Sequence, residues 1–193
     1  MGTRHHPKKT RLIGEIEQAA ERLGQPFLSP AILFGRASPD DIAAYDASML
    51  AAAAAHAYRE VTARKRDTSR VTVTDLESVK PGGAPVSVIC VTDRNMPFLY
   101  DSIMGEVTSR HRDLSLAVHP ILVVSKGAEP VLFDPEEESD PADRVSHIQI
   151  HLSHLVPEEA KALVAGIETV LAQVHQAVGD WEPMKALLGE AMS

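Results

Sequence analysis

Aromatic residues make up only 4% of this chain, with a single tryptophan among them. A core of normal density must therefore be assembled from Val, Ile, Leu and Ala rather than from stacked rings. Cysteine is scarcer still. Cys90 is alone, which rules out an internal disulfide and fits a reducing compartment. It lies inside an apolar run, where a buried, inert thiol is expected rather than a nucleophile. No run reaches the ~20 apolar residues that a membrane-spanning helix requires, and the start lacks the apolar core of a signal peptide. A cytoplasmic location is the expectation. Positive charge is in deficit as well: the net charge is -8, so a nucleic-acid surface, which needs clustered Lys and Arg, is not expected. The one basic cluster, Arg4 to Arg11 with Lys8 and Lys9, reads as a solvated end.

What remains is ordinary for a folded domain: 44% hydrophobic and 24% charged residues over 193 positions, enough for one domain with a small helical lead-in. Within Thr10–Leu23, Leu12, Ile13, Ile16, Ala19, Ala20 and Leu23 recur at three- and four-residue steps, predicting a helix closed by Gly24 and Pro26. Ser38-Pro-Asp-Asp41 carries a cap, a first-turn proline and two acids suited to the positive end of a helix. That second helix is expected to run through the alanines of Met49–Ala57 to about Arg64. Its alanines permit close approach but little bulk, so it should lie on something else.

From residue 70 the period changes. Arg70–Asp75 alternates and is β-branched, predicting a strand. After the turn-rich Lys80–Pro85, Val86–Thr92 is apolar on both faces, as in a strand covered on both sides or stacked on a partner. Asp93–Pro97 is a strand-to-helix turn, followed by a helix carrying Phe98, Leu99, Ile103, Met104 and Val107. Leu114–Ser125 reads as one long strand. The acidic run Asp134–Asp140 lacks the spacing and glycine of a calcium loop and reads as a solvated connection. In Arg144–Leu152 the alternation places Ile148, Ile150 and Leu152 on one face and His147, Gln149 and His151 on the other. Pro157 opens a helix whose apolar stripe includes Leu163, Ile167 and Leu171; Gly179 should end it, with a shorter helix over Asp180–Met192.

The order β-β-α-β-β-α-α predicts an α+β, ferredoxin-like antiparallel sheet of the ACT type, with helices on one face. The helical lead-in is assigned to residues 1–66 and the ACT-like domain to 67–193. The strand at 70–75 can pair with 86–92 and fill the edge that a carboxy-terminal strand would otherwise take. Ile148, Ile150 and Leu163 should be buried between sheet and helix.

Chemistry is sparse. Gly82-Gly83 and Gly127 match no dinucleotide or phosphate-loop spacing, and no nucleophile elbow is present. His147 and His151 share a strand face but stand about 13 Å apart along it, too far to share one metal easily. His154 points to the opposite side. A metal site is not expected, and a metal-dependent enzyme using the histidines stays open only to metal analysis. His119, before Pro120, suits a packed or hydrogen-bonded core histidine. Asp93, Asn95, Asp101 and Ser102 surround a helix start whose amides could hold a carboxylate or amino acid; the alternative is that they cap the helix and fix the turn. The face bearing His147, Gln149 and His151 is expected to meet another domain or subunit, with association weakening as pH falls through about 6.5.

Four stretches carry a resemblance. Val91-Thr-Asp-Arg-Asn-Met-Pro-Phe-Leu-Tyr-Asp-Ser-Ile-Met-Gly-Glu106 resembles a segment near the amino end of the large bacterial NAD-specific glutamate dehydrogenases. Phe34–Tyr45, Leu116–Val123 with its His119-Pro120, and Ser146–His151 followed by Asp180-Trp-Glu-Pro-Met184 are similar to the same family in the same order. Arg94 departs from it, standing where a small polar or acidic residue is usual and leaving the charge preference of that turn open. The resemblance implies the first ACT-like domain of a very long chain whose catalytic domain lies far downstream. The parent enzyme would convert L-glutamate and NAD to 2-oxoglutarate, ammonia and NADH. It implies no catalytic residue and no cofactor in this segment. The implied partners are the downstream domains, a further subunit, and possible small amino-acid effectors. A free-standing amino-acid-binding sensor is the rival; a reading frame continuing past Ser193 would favour the first and a stop codon there the second.

Overall fold

The computed structural model describes residues 7–78, 83–110, 113–125 and 127–191, with side chains described up to Asp180. Arg4 of the basic cluster, Lys80–Gly82 of the turn, the Trp181–Met184 side chains and Met192 lie outside the described residues. The described elements are α1 (Pro7–Leu23), α2 (Pro30–Phe34), α3 (Pro39–Ala43), α4 (Ala47–Ala63), β1 (Arg70–Leu76), β2 (Val86–Arg94), α5 (Leu99–Arg110), β3 (Leu114–Val118), β4 (Ile121–Val123), β5 (Val131–Leu132), β6 (Arg144–Ser153) and α6 (Pro157–Ala191).

All pairings are antiparallel. The sheet runs β1-β2-β6-β4-β5, and β3 also pairs with β6, above β4. Thus β6 is the central strand, joined to β2 from Val86↔Ser153 to Arg94↔Val145. The hairpin expected from the period-two pattern forms: β1 pairs with β2 in register from Arg70↔Thr92 to Leu76↔Val86, occupying the edge beside β2.

The sheet separates two apolar layers. On one face Ile89, Val91, Ile148, Ile150 and Leu152 pack with Leu99, Ile103 and Val107 of α5 and Leu163, Ile167 and Leu171 of α6. Ile148, Ile150 and Leu163 are fully buried, as the two periodicities require. On the other face Val88, Cys90, Leu116, Val118 and Leu122 pack with α1–α4. Helices therefore cover both faces, because the lead-in folds back over the side that an ACT-like sheet would leave open. Five alanines of α4, at 51, 53, 54, 55 and 57, are completely buried. Their small side chains bring the helix backbone close to the sheet. The core thus runs across the boundary drawn at residue 66.

Several elements depart from expectation for local reasons. The helix expected over Ser38–Arg64 is broken into α3 and α4, with Tyr45 turned out to reach Ser115 Oγ at 2.5 Å. The long strand over Leu114–Ser125 divides at His119-Pro120, since proline has no N–H for a ladder. The Pro120 carbonyl still accepts from the His147 amide at 3.1 Å. Gly179 does not stop α6, which continues unbroken to Ala191. Gly24, by contrast, takes φ +64 and closes α1 as its position suggests. No described helix is long and apolar enough to cross a membrane.

Candidate functional site

The polar residues of interest gather where β2 ends and β6 begins. Strand alternation sends successive side chains of β2 to opposite layers, and this splits the turn's polar groups. Asp93 follows Ile89 and Val91 toward α6. It is fully buried, and its carboxylate is saturated by its own chain. Oδ2 accepts from Ser69 Oγ at 2.6 Å and meets His175 Nε2 at 2.8 Å, while Oδ1 accepts from the Arg94 amide at 2.7 Å. Ser69, His175 and Asp93 are the residue types of a hydrolytic triad, but their geometry is not that of one. Serine and aspartate both address the same imidazole nitrogen, and the serine proton is committed to the carboxylate. A relay needs the two partners on opposite ring nitrogens. The cluster instead ties β2 and the residue before β1 to α6.

Asn95 lies elsewhere. Its amide donates to the Arg144 carbonyl at 2.9 Å, and its Oδ1 accepts from Ser146 Oγ at 2.9 Å. Ser146 Oγ in turn meets His119 Nε2 at 3.1 Å, and the His119 ring stacks on Tyr100 at 4.9 Å. Burial, aided by the Arg36 charge, lowers the pKa of His119. Asp101 is exposed on α5. Ser102 opens onto a shallow groove with Phe98, Val170 and Val174, where Phe98 holds φ +66. The four residues singled out around this turn thus face four separate surroundings, and only Asp93 and Asn95 are tied into networks spanning several elements.

The layer opposite Asp93 holds Arg94 and the residues around the end of α4. A cleft of about 610 Å³ opens there, lined among others by Thr62, Arg64, Arg66, Ser125, Gly127 and Asp143. Arg66 donates to Asp143 Oδ1 at 2.5 Å, and Ser125 Oγ donates to Asp143 Oδ2 at 3.1 Å. The Nε atoms of Arg64 and Arg94 are sealed from solvent without an acceptor. Neither Arg64 nor His175 has a distinguishing signal in the sequence: one is a cation among several after a helix, the other a polar residue beside an apolar stripe.

His147, Gln149 and His151 do not form an open face. All three are fully buried beneath α4 and its neighbours, because the lead-in helices occupy the side of the sheet to which these residues point. His147 Nδ1 meets Thr92 Oγ1 at 2.9 Å, and Gln149 Nε2 donates to the Ala53 carbonyl at 3.2 Å. Neither nitrogen of His151 has a partner among the described residues; its ring sits edge-on to Tyr45 at 5.3 Å. Burial pushes both histidines down to about 3, and nearby His56 and His119 add to this at His147. They stay neutral where solvated imidazoles would titrate. No group of three or more His, Cys, Asp or Glu among the described residues is arranged to hold a metal. Burial also raises the Cys90 pKa strongly, as an inert thiol requires.

Comparison with known proteins bears on these arrangements. A family model described as "Glutamate dehydrogenase, ACT1 domain" matches residues 31–167. The matched span begins in α2 and ends within α6, taking in α3 and α4 along with the whole sheet. Over 102 residues the chain is 34% identical to the NAD-specific glutamate dehydrogenase of Halomonas elongata, covering 51% of this chain. The same alignment covers 6% of that protein, so the chain corresponds to a small part of its relative's length. No solved structure matches.

Proposed function

Because the chain belongs to the family of the glutamate dehydrogenase ACT1 domain, we propose that it is a non-catalytic regulatory and assembly domain of an NAD-specific glutamate dehydrogenase. The parent protein would oxidise L-glutamate with NAD to 2-oxoglutarate, ammonia and NADH, with NAD bound in other parts of that protein. One observation carries the reading: the family match takes in α3 and α4 of the lead-in together with the sheet, while the similar dehydrogenase is many times longer than the matched segment. The engagement of Asp93 by Ser69, His175 and the Arg94 amide supports it, since that carboxylate is bound within the fold rather than offered to a substrate. Downstream domains of the same polypeptide and further copies of the enzyme are the proposed partners.

The test compares three samples: this chain, the complete dehydrogenase, and the dehydrogenase lacking this segment. The chain by itself should produce no NADH from glutamate and should not bind NAD. The truncated enzyme should retain turnover while its subunit association or its response to small-molecule effectors changes. NADH production by the isolated chain would overturn the reading. So would a truncated enzyme whose subunit number, KM and effector response all equal those of the complete protein.

A further inference from the structure

We propose that the layer between α4 and β6 binds water as a structural ligand, in a chain of bridges along His147, Gln149 and His151. Strand alternation turns these three side chains of β6 toward α4, and none is exposed to solvent. Four of their polar atoms, His147 Nε2, Gln149 Oε1 and both ring nitrogens of His151, have no hydrogen-bond partner among the described residues. Leaving a buried polar atom unbonded is costly, and folded chains relieve that cost with a protein group or a held water. The protein groups around these atoms are already committed. The Thr92 hydroxyl meets His147 Nδ1 at 2.9 Å, the Ala53 carbonyl accepts from Gln149 Nε2 at 3.2 Å, and the Tyr45 hydroxyl meets Ser115 Oγ at 2.5 Å. Much of what α4 otherwise buries is alanine methyl, which bonds to nothing.

The four atoms select the ligand. Gln149 Oε1 only accepts, whereas a neutral imidazole carries one donor and one acceptor. An anion would meet the Gln149 oxygen and the imidazole lone pairs. A cation would need a free carboxylate, and Glu60, the one acid buried on α4, is held by Arg70 at 2.5 Å. A small neutral molecule that both donates and accepts is what remains, and water is such a molecule. The spacing suits it. Side chains two residues apart on a strand stand about 7 Å from one another. One water with two hydrogen bonds of about 2.8 Å spans most of that distance, and a lean of either side chain along the strand covers the rest. Gln149 lies between the two histidines, so its Oε1 can accept from a bridge on each side. The site stands apart from the regulatory reading above and can hold or fail separately from it.

Magnetic relaxation dispersion of water oxygen, measured on this chain, counts waters held longer than the molecule takes to tumble. Gln149→Leu, which removes the shared acceptor, should lower the amplitude by about two waters, and His151→Phe by about one. His151→Gln, which keeps a donor and an acceptor, should retain the parent amplitude. In the parent chain, cross-relaxation from water to the Gln149 side-chain amide should be seen, a readout that depends on no variant folding. No dispersion in the parent, no cross-relaxation at that amide, or an amplitude unchanged in either Gln149→Leu or His151→Phe overturns the proposal.

Discussion

Gln149, at the centre of β6, donates through Nε2 to the carbonyl oxygen of Ala53, at the centre of α4, across 3.2 Å. A side chain that the sequence places on an outer sheet face is therefore bonded to the backbone of a helix from the lead-in. Ala53 is itself fully buried, so a longer side chain at that position would have to displace its neighbours.

Ala53→Leu should accordingly destabilise the chain. Overpacking a filled site costs about 1–3 kcal/mol. Urea denaturation should show that loss, whereas Ala63→Leu at the exposed end of the same helix should stay within about 0.5 kcal/mol of the parent.

Acid should destabilise the fold from an unusually high pH. His147 and His151 remain neutral in the folded chain down to about 3, but each gains a proton near 6.5 once unfolded. Stability is complete above that value and falls as pH drops from it toward the folded values. The slope is about 1.4 kcal/mol per pH unit for each histidine. Melting curves between pH 7.5 and pH 5 (roughly the useful range) should record it. His151→Phe, which removes two unpartnered nitrogens, should flatten the slope by one histidine's share; an unchanged slope would refute the assignment. The association switch expected near 6.5 has no basis in this geometry, since the imidazoles face α4 rather than a partner.

Arg70 fastens β1 to α4. Its Nε donates to Glu60 Oε2 at 2.5 Å, and the Glu60 side chain is only 7% exposed. Removing the cation leaves a nearly buried carboxylate unpaired. Arg70→Met should cost about 1–3 kcal/mol, softened by water reaching the half-open arginine side. Adding Glu60→Gln should recover part of the loss, and a double variant no better than the single one would exclude the pairing as its cause.

Asp93→Ala should be more damaging than Ser69→Ala. The aspartate closes three hydrogen bonds, with Ser69, with His175 of α6 and with the Arg94 amide, while the serine takes part in one of these and meets the same His175 nitrogen. Losing the buried acceptor strands the His175 and Ser69 donors, at about 1–3 kcal/mol. Chemical denaturation of both variants checks the order; equal stabilities would overturn it.

The sheet was legible because its strands are written in period two. Arg70–Leu76, Val86–Arg94 and Arg144–Ser153 form with their apolar faces as read, and the α6 stripe points at Ile148 and Ile150. The break at His119-Pro120 was missed because the apolar pattern continues through a residue that cannot donate to the ladder. β5 spans only Val131–Leu132, too short to carry a period. The concealment of His147, Gln149 and His151 was the larger error. Alternation says which side chains share a face but not whether that face meets water. The cue lay far upstream, in an alanine run suited to flush packing, and only the tertiary arrangement joins the two.

The central position of β6 sets an order of events during synthesis. Among the strands of this sheet, the one on which β2, β3 and β4 all depend leaves the ribosome last, whereas the helices that cover its polar face precede every strand. Until β6 arrives, α4 has no Gln149 to bond, and the β1–β2 hairpin presents an open inner edge. A nascent chain in that interval carries the strand edge and uncovered apolar surface that chaperones recognise. Closing the sheet then joins distant parts of the chain, a slow step by topology alone. Folding should therefore be limited by the docking of one late strand between two waiting layers.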